Sequence, residues 1–258
     1  MLLLPDHYPT RPFVDATPRR DDPAALRALA TDLGYLFFER LVPEALVALV
    51  RAFVREVAVG HGWVQPDPEN ADVCVAVPGA RLTGRGFDDP RFVELQRQVM
   101  ANPDFQALVT DPRVMAALDA AAGEPMALAT TNHTWLKLPG SPEHTTLPHQ
   151  DVYYLPTCPK MWTMWVPLVD TPLDVGPLGV VPHSHDGEMW PHIDAWTGID
   201  VPRDVAWATQ AVRPGAVVIF DASTVHCAWS NVSPTLTRLS LDVRYEPEAD
   251  PPVLRAMF

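Results

Sequence analysis

An imidazole and a carboxylate, His149 and Asp151, stand two residues apart in Pro148-His-Gln-Asp-Val-Tyr-Tyr, and a second imidazole, His226, follows far downstream in Ser-Thr-Val-His-Cys. On a β-strand, side chains two apart point to one face, so His149 and Asp151 can grip one ion together. With His226 from a distant strand they make two imidazoles and one carboxylate, the facial set that suits non-haem iron(II) and leaves coordination positions open for chemistry. An isolated H-x-D is more often a polar strand pair, and a distant histidine a hydrogen-bonded core residue. Nine histidines offer many chance pairings, so the surrounding segments decide.

Those segments read as strands able to present ligands. Pro214-Gly-Ala-Val-Val-Ile-Phe-Asp is a turn feeding an apolar strand, and Ala-Ser-Thr-Val-His226 follows directly. Thr237-Arg-Leu-Ser-Leu-Asp-Val-Arg-Tyr then alternates strictly up to Arg244, with Leu239, Leu241 and Val243 on one face and Arg238, Ser240 and Asp242 on the other. Such alternation commonly marks an edge strand with a solvated face. Beside a metal it has another meaning: a planar guanidinium with a hydroxyl two residues on makes a receptor for the carboxylate of a cosubstrate.

Composition narrows the function classes. The hydrophobic fraction of 47% is that of an ordinary globular core. A net charge of −13 argues against nucleic acid and anionic membranes as partners, since both favour basic patches. Cys74, Cys158 and Cys227 have no metal-site spacing and read as inert buried thiols; Cys227 should face away from the metal as the strand neighbour of His226. The opening Met-Leu-Leu-Leu-Pro-Asp is too short for a signal peptide, and no run approaches the roughly 20 apolar residues of a membrane span. The expectation is a cytoplasmic protein, monomer or homodimer, acting on a small molecule.

The elements that must hold the ligands follow from periodicity. Residues 1–20 are a proline-rich arm, laid over the body or loosely ordered. Asp22-Pro23 opens a helix carrying Leu26, Leu29 and Leu33 that Gly34 stops; Tyr35-Leu-Phe-Phe is strand-like; and Pro43 opens a second helix striped by Leu46, Val47, Val50, Phe53, Val54 and Val57. Residues 60–90 form a turn-rich loop, and helical character resumes over about 91–121. Short strands are expected at 126–138, 147–155, 161–169, 178–182, 205–212, 216–220, 224–229 and 236–245. The fold class is mostly β with flanking helices (α+β): a double-stranded β-helix, or jelly-roll, cupin-like barrel with N-terminal helices packed on one sheet. With no repeat and no internal linker, residues 1–258 are expected to be a single domain.

At this point the chain resembles the phytanoyl-CoA dioxygenase family of iron(II)/2-oxoglutarate oxygenases over roughly residues 30–246. The resemblance is carried by Gly34-Tyr-Leu-Phe-Phe, Leu147-Pro-His-Gln-Asp-Val-Tyr-Tyr, Trp165-Val-Pro-Leu-Val-Asp, Gly176-Pro-Leu-Gly-Val-Val-Pro-His-Ser-His, Pro214-Gly-Ala-Val-Val-Ile-Phe-Asp, and His226 followed by Asn231 and Arg238. It implies that His149, Asp151 and His226 bind Fe(II). It also implies that Arg238 and Ser240 hold the distal carboxylate of 2-oxoglutarate, with Lys137 near the cosubstrate and Trp165 packed against it. Two positions depart from the family pattern: the usual Pro-Gly-Ser-His reads Pro182-His-Ser-His, and Ala228 replaces a small hydroxyl residue.

Other polar residues have plainer readings. His183 and His185 suggest structural hydrogen bonding rather than a second metal. Tyr153 shares strand parity with the ligand pair and, with Tyr154, is a candidate for substrate contact, plain packing being the alternative. Met189-Trp-Pro-His-Ile-Asp-Ala-Trp-Thr-Gly-Ile-Asp and residues 62–88 are the segments expected to set substrate selectivity. The resemblance implies hydroxylation of an unactivated C–H bond of a small apolar or amphipathic molecule, natural-product in type, consuming O2 and releasing succinate and CO2. An aspartate at 151 favours hydroxylation over halogenation. Desaturation, cyclisation or epimerisation by the same machinery stays open. A zinc hydrolase could use the same ligands but leaves Arg238 and Ser240 without a purpose, and the intact set argues against a silent binding protein.

Overall fold

The computed structural model describes residues 3–66, 70–84, 87–194 and 198–250. Helix α1 (Pro23–Leu33) starts where the Asp22 carboxylate accepts from the Ala25 N–H, and ends where Gly34 adopts φ 77°. Strand β2 (Tyr35–Phe38) and helix α2 (Glu44–Gly60) follow, with Pro43 as the residue capping α2 rather than its first turn. The helical stretch expected near 91–121 is three helices: α3 (Pro90–Met100), α4 (Pro103–Val109) and α5 (Pro112–Ala122). Each begins with the same device, a cap residue (Asp89, Asn102, Asp111) accepting backbone N–H bonds before a proline. A proline inside a helix removes a hydrogen bond and clashes with the preceding turn, so Pro103 and Pro112 restart the helix instead of continuing it.

The remaining chain is β-rich: β3 (Met126–Leu128), β4 (His133–Lys137), β5 (Thr146–His149), β6 (Trp162–Pro167), β7 (Leu178–Val180), β8 (Trp207–Ala208), β9 (Val217–Asp221), β10 (His226–Ala228) and β11 (Arg238–Pro247). The strand expected at 147–155 stops at His149, and Asp151–Tyr154 is a single helical turn, α6. The arm is laid over the body: β1 (Thr10–Arg11) runs parallel to β8, and the Leu3 N–H donates to Ser230 Oγ at 2.9 Å. Its residues 1 and 2 lie outside the described residues.

Two mostly antiparallel sheets result, ordered β1-β8-β7-β10-β5 and β2-β9-β6-β11-β3, with β4 also paired to β11. The helices cover one face of the second sheet. Leu26, Val50, Leu95 and Leu118 from four helices share a core with Met164, Ile219, Leu239, Leu241 and Val243. That core fixes the alternation of β11: its leucines and valine turn to the helices, so Arg238, Ser240, Asp242 and Arg244 turn to the other face. The fold is thus a mixed α+β arrangement whose polar face of β11 lies opposite the strands carrying His149 and His226.

Candidate active site

β5 and β10 are antiparallel neighbours, and His226 sits directly across from His149 with ring centroids 4.1 Å apart. Gln150 is extended (φ −117°, ψ 130°), so Asp151 projects beside His149 although it opens α6 rather than continuing β5. The three residues are buried, and one ligand atom from each lies within 4.8 Å of the others. His149 Nδ1–H donates to the Leu147 carbonyl at 2.8 Å and His226 Nδ1–H to the Thr224 carbonyl at 2.9 Å. Each bond fixes the tautomer that leaves the Nε2 lone pair free, and both Nε2 atoms face Asp151 Oδ1, at 3.5 and 3.9 Å. Thr163 Oγ1 donates to the other oxygen, Oδ2, at 2.7 Å, leaving Oδ1 as the oxygen directed at the gap. Burial opposes ionisation of Asp151, but Arg244 and the two imidazoles outweigh it and hold the carboxyl well below its usual range. Burial, then His149, pushes His226 down to about 4. A neutral His226 imidazole beside an ionised carboxylate is the protonation state a divalent metal requires.

The cosubstrate candidates converge beside this set. Lys137 on β4 pairs in register with Arg238 on β11, and Trp135 with Ser240. Arg238 is 1% exposed and donates to the Gly176 carbonyl at 2.7 Å, with its Cζ 6.0 Å from the Trp165 ring centroid. Lys137 Nζ donates to Thr146 Oγ1 at 2.9 Å. Among the described residues, Arg238 Nε, Ser240 Oγ and Trp165 Nε1 are buried without a hydrogen-bond partner. Burial lowers Arg238 to about 9, Asp242 opposing, and lowers Lys137 well below its usual value, the Arg238 charge adding to the effect. A buried guanidinium, a buried amine and three orphaned polar atoms make a pocket fitted to an anion with several acceptor oxygens.

The two tyrosines part company. Tyr154 lies edge-on to His149, centroids 5.4 Å apart, and lines the cavity over the metal ligands. Tyr153 turns away and stacks on His192 at 4.0 Å, because a helical turn has replaced the strand whose parity placed it in the site. His183 and His185 bind the end of α1: their ring nitrogens reach the carbonyls of Asp32 (2.7 Å) and Thr31 (3.0 Å). His183 keeps the left-handed backbone of a glycine turn, φ 65°. Cys227 packs with Trp207 and Trp229 on the face away from Asp151.

Four contributors lay outside the sequence reading. Arg244, on the inward face of β11, sits 3.5 Å from Asp151 and 3.6 Å from Asp242, and its parity with Arg238 was the available signal. Thr163 had none. Gln150 and His192 form a clamp: the Gln150 N–H donates to His192 Nε2 at 3.2 Å, its Oε1 accepts the Trp190 N–H at 2.8 Å, and its Nε2 donates to the Ser223 carbonyl. The Ile199 N–H donates to the Pro148 carbonyl at 2.8 Å. The 189–200 insertion is thereby sewn to the segment between the two first ligands; its residues 195–197 lie outside the described residues, as do 67–69 and 85–86 of the 62–88 loop. A cavity of about 420 Å³ opens over His149 and Asp151, walled by Phe87, Trp135, Leu147 and Leu155 with Tyr154 and Arg244.

Comparison with known proteins agrees with this geometry. The chain is 27% identical over 255 residues to the 1-deoxypentalenic acid 11-beta-hydroxylase of Streptomyces exfoliatus, covering 91% of this chain and 85% of that one. It is 24% identical, with the same coverage, to the protein of that name from Streptomyces arenae. In fold it is similar to the epimerase SnoN of nogalamycin biosynthesis, solved with Fe3+, alpha ketoglutarate and nogalamycin RO (TM-score 0.62, 23% identity, 88% of this chain and 85% of that one). It is also similar to the carbocyclase SnoK (TM-score 0.60, 23% identity, 86% and 83%). Residues 31–239 match the family model described as Phytanoyl-CoA dioxygenase (PhyH), and the chain belongs to the phytanoyl-CoA dioxygenase family.

Proposed function

We propose that this protein is an Fe(II)/2-oxoglutarate-dependent oxygenase that hydroxylates an unactivated C–H bond of a compact, largely apolar small molecule. The observation that carries the reading is one juxtaposition: a buried His149–Asp151–His226 set beside a buried Arg238–Lys137–Ser240 pocket with orphaned donors. Iron bound there, with 2-oxoglutarate and O2, supplies the oxidising power, 2-oxoglutarate leaving as succinate and CO2. His149, Asp151 and His226 hold the metal, and their Nδ1 bonds and Thr163 keep the ligand atoms aimed. Arg238 and Ser240 anchor the distal carboxylate, with Lys137 and Trp165 closing the pocket around it. Phe87, Trp135, Leu147 and Leu155 exclude water and seat the apolar substrate, and Tyr154 stands at its edge.

The hydroxylase relatives act, by their names, on 1-deoxypentalenic acid, a small molecule. A zinc hydrolase leaves the Arg238 pocket without a ligand. We read the two sheets as halves of a double-stranded β-helix, residues 1–258 as one domain with an N-terminal arm, and the protein as cytoplasmic, monomeric or homodimeric. No described helix is long and apolar enough to cross a membrane. The test is stoichiometric. Purified protein with Fe(II), 2-oxoglutarate and O2 should release succinate, and omitting iron, 2-oxoglutarate or O2 should stop it; hydrolysis without O2 would overturn the reading. Product mass then separates hydroxylation (one added oxygen) from desaturation, cyclisation or epimerisation.

A further inference from the structure

Arg244 is more buried than a surface cation and less satisfied than a structural one. Its side chain is 10% exposed and lines the cavity over the metal ligands. Its hydrogen bond is from Nη1 to the Thr131 carbonyl at 3.2 Å. The contacts of Nη2 with Asp151 and Asp242, at 3.5 and 3.6 Å, are too long for hydrogen bonds. Nε is buried without a partner among the described residues. Arg244 acts on Asp151 through charge, while the hydrogen bond to Oδ2 comes from Thr163 and Oδ1 faces the imidazoles. A guanidinium carries five donors in a fixed fork; this one gives one to the Thr131 carbonyl, while Nε has no partner and Nη2 lies beside two carboxylates at the cavity wall.

Two carboxylates, Asp151 and Asp242, flank Arg244, and neither is close enough to Nη2 for a good hydrogen bond. Glu143 also borders the cavity but is exposed to solvent. Guanidinium hydrogens without acceptors are unfavourable in such a space, and a carboxylate arriving with the substrate supplies the acceptors.

We propose that Arg244 is a substrate-binding residue that takes a carboxylate, so that this protein acts on a compact apolar acid whose body rests against Phe87, Trp135 and Leu147. The assignment rests on the metal and cosubstrate reading given above. The test uses cobalt(II)-loaded protein saturated with 2-oxoglutarate, which occupies Arg238, and two probes of one shape: adamantane-1-carboxylate and adamantane-1-carboxamide. Calorimetry should show the carboxylate binding at least tenfold more tightly, with the preference lost in Arg244→Met and partly kept in Arg244→Lys. Arg244→Gln, which retains an N–H for the Thr131 carbonyl, serves the same comparison if the methionine variant fails to hold cobalt. A carboxylate that binds no better than the amide, or a preference that survives in the neutral variants, overturns the proposal. Whether 2-oxoglutarate itself raises the melting temperature is read separately. A protein that binds 2-oxoglutarate but not the carboxylate probe refutes Arg244 alone.

Discussion

Replacing Arg238 with methionine should make the protein more stable in the absence of 2-oxoglutarate and blind to its addition. Burial pulls Arg238 far below its ordinary value, down to about 9, which corresponds to on the order of 5 kcal/mol held against folding while the group stays charged. Methionine removes that burden and fills similar space, but it strands the Gly176 carbonyl that Nη1 satisfies, a loss of about 1–3 kcal/mol. The balance favours the variant by roughly 3 kcal/mol, or about 5–10 °C in Tm for a chain of this size. Wild-type protein should gain a similar amount from its cosubstrate, since a ligand at a hundred times its Kd contributes about 2.7 kcal/mol.

Differential scanning calorimetry of metal-loaded wild type and Arg238→Met, each with and without 2-oxoglutarate, reads both effects. The pH dependence supplies a second check. Above pH 9 the unfolded chain keeps a proton that the folded chain has released, so wild-type stability should rise with pH there relative to the variant. A variant that melts below wild type without cosubstrate, or that still shifts on adding it, would refute the view of Arg238 as a cation whose partner is the ligand.

Three other perturbations probe separate parts of the design. In Gly34→Ala the new Cβ would lie 2.5 Å from His185 Nδ1 and 2.7 Å from Thr224 Oγ1 at a backbone φ of 77°, so urea unfolding should show a loss of about 2–4 kcal/mol; a neutral result would mean that the α1–β2 turn relaxes freely. Gln150→Ala cuts the side-chain ties to Trp190 and Ser223. It should speed amide exchange at 190–193 while metal stays bound, and unchanged exchange would show that the clamp lies elsewhere. Metal-free protein should lose stability as pH falls from 6.5 to 4. The unfolded chain takes up the His226 proton first, and the folded imidazole does so only near 4, an effect on the order of 3 kcal/mol. His226→Gln should flatten that slope in urea titrations at pH 7 and 5.

The His149–Asp151–His226 cluster was legible because residue type and a two-residue spacing restrict what can share an ion, although Asp151 does not continue the strand. β5 ends at His149, and the pair meets because Gln150 alone is extended. Tyr153 departs from strand parity because local periodicity cannot tell that the chain will coil at Asp151, where the Val152 N–H donates to the Ala222 carbonyl in the turn after β9. Arg238, Ser240 and Lys137 were readable, from alternation and from family likeness, whereas Thr163 was not, since its role exists only once β6 is laid under Asp151. The helices near 91–121 merged in the sequence because their apolar spacing is continuous; the Asn102-Pro103 and Asp111-Pro112 junctions carried the division. His183 takes a left-handed turn that the usual glycine would take without strain.

β11 explains why so much of the site could be inferred from one segment. Its residues alternate between the helix-packed core and the cavity, so a shift of one position would bury Arg238 and Arg244 among leucines and expose Leu239 and Leu241 to the metal. The apolar side forbids that shift: Leu239, Leu241 and Val243 are fully buried against the helices. Register is further held on both flanks, by β4 from Arg238 to Asp242 and by β6 from Ser240 to Tyr245. Arg238 at the start of the strand and Arg244 six residues on are therefore set at a fixed separation, on the face turned to His149, Asp151 and His226. Packing on the far side of the sheet, remote from any reacting atom, is what fixes the distance between the two cationic ends of the site.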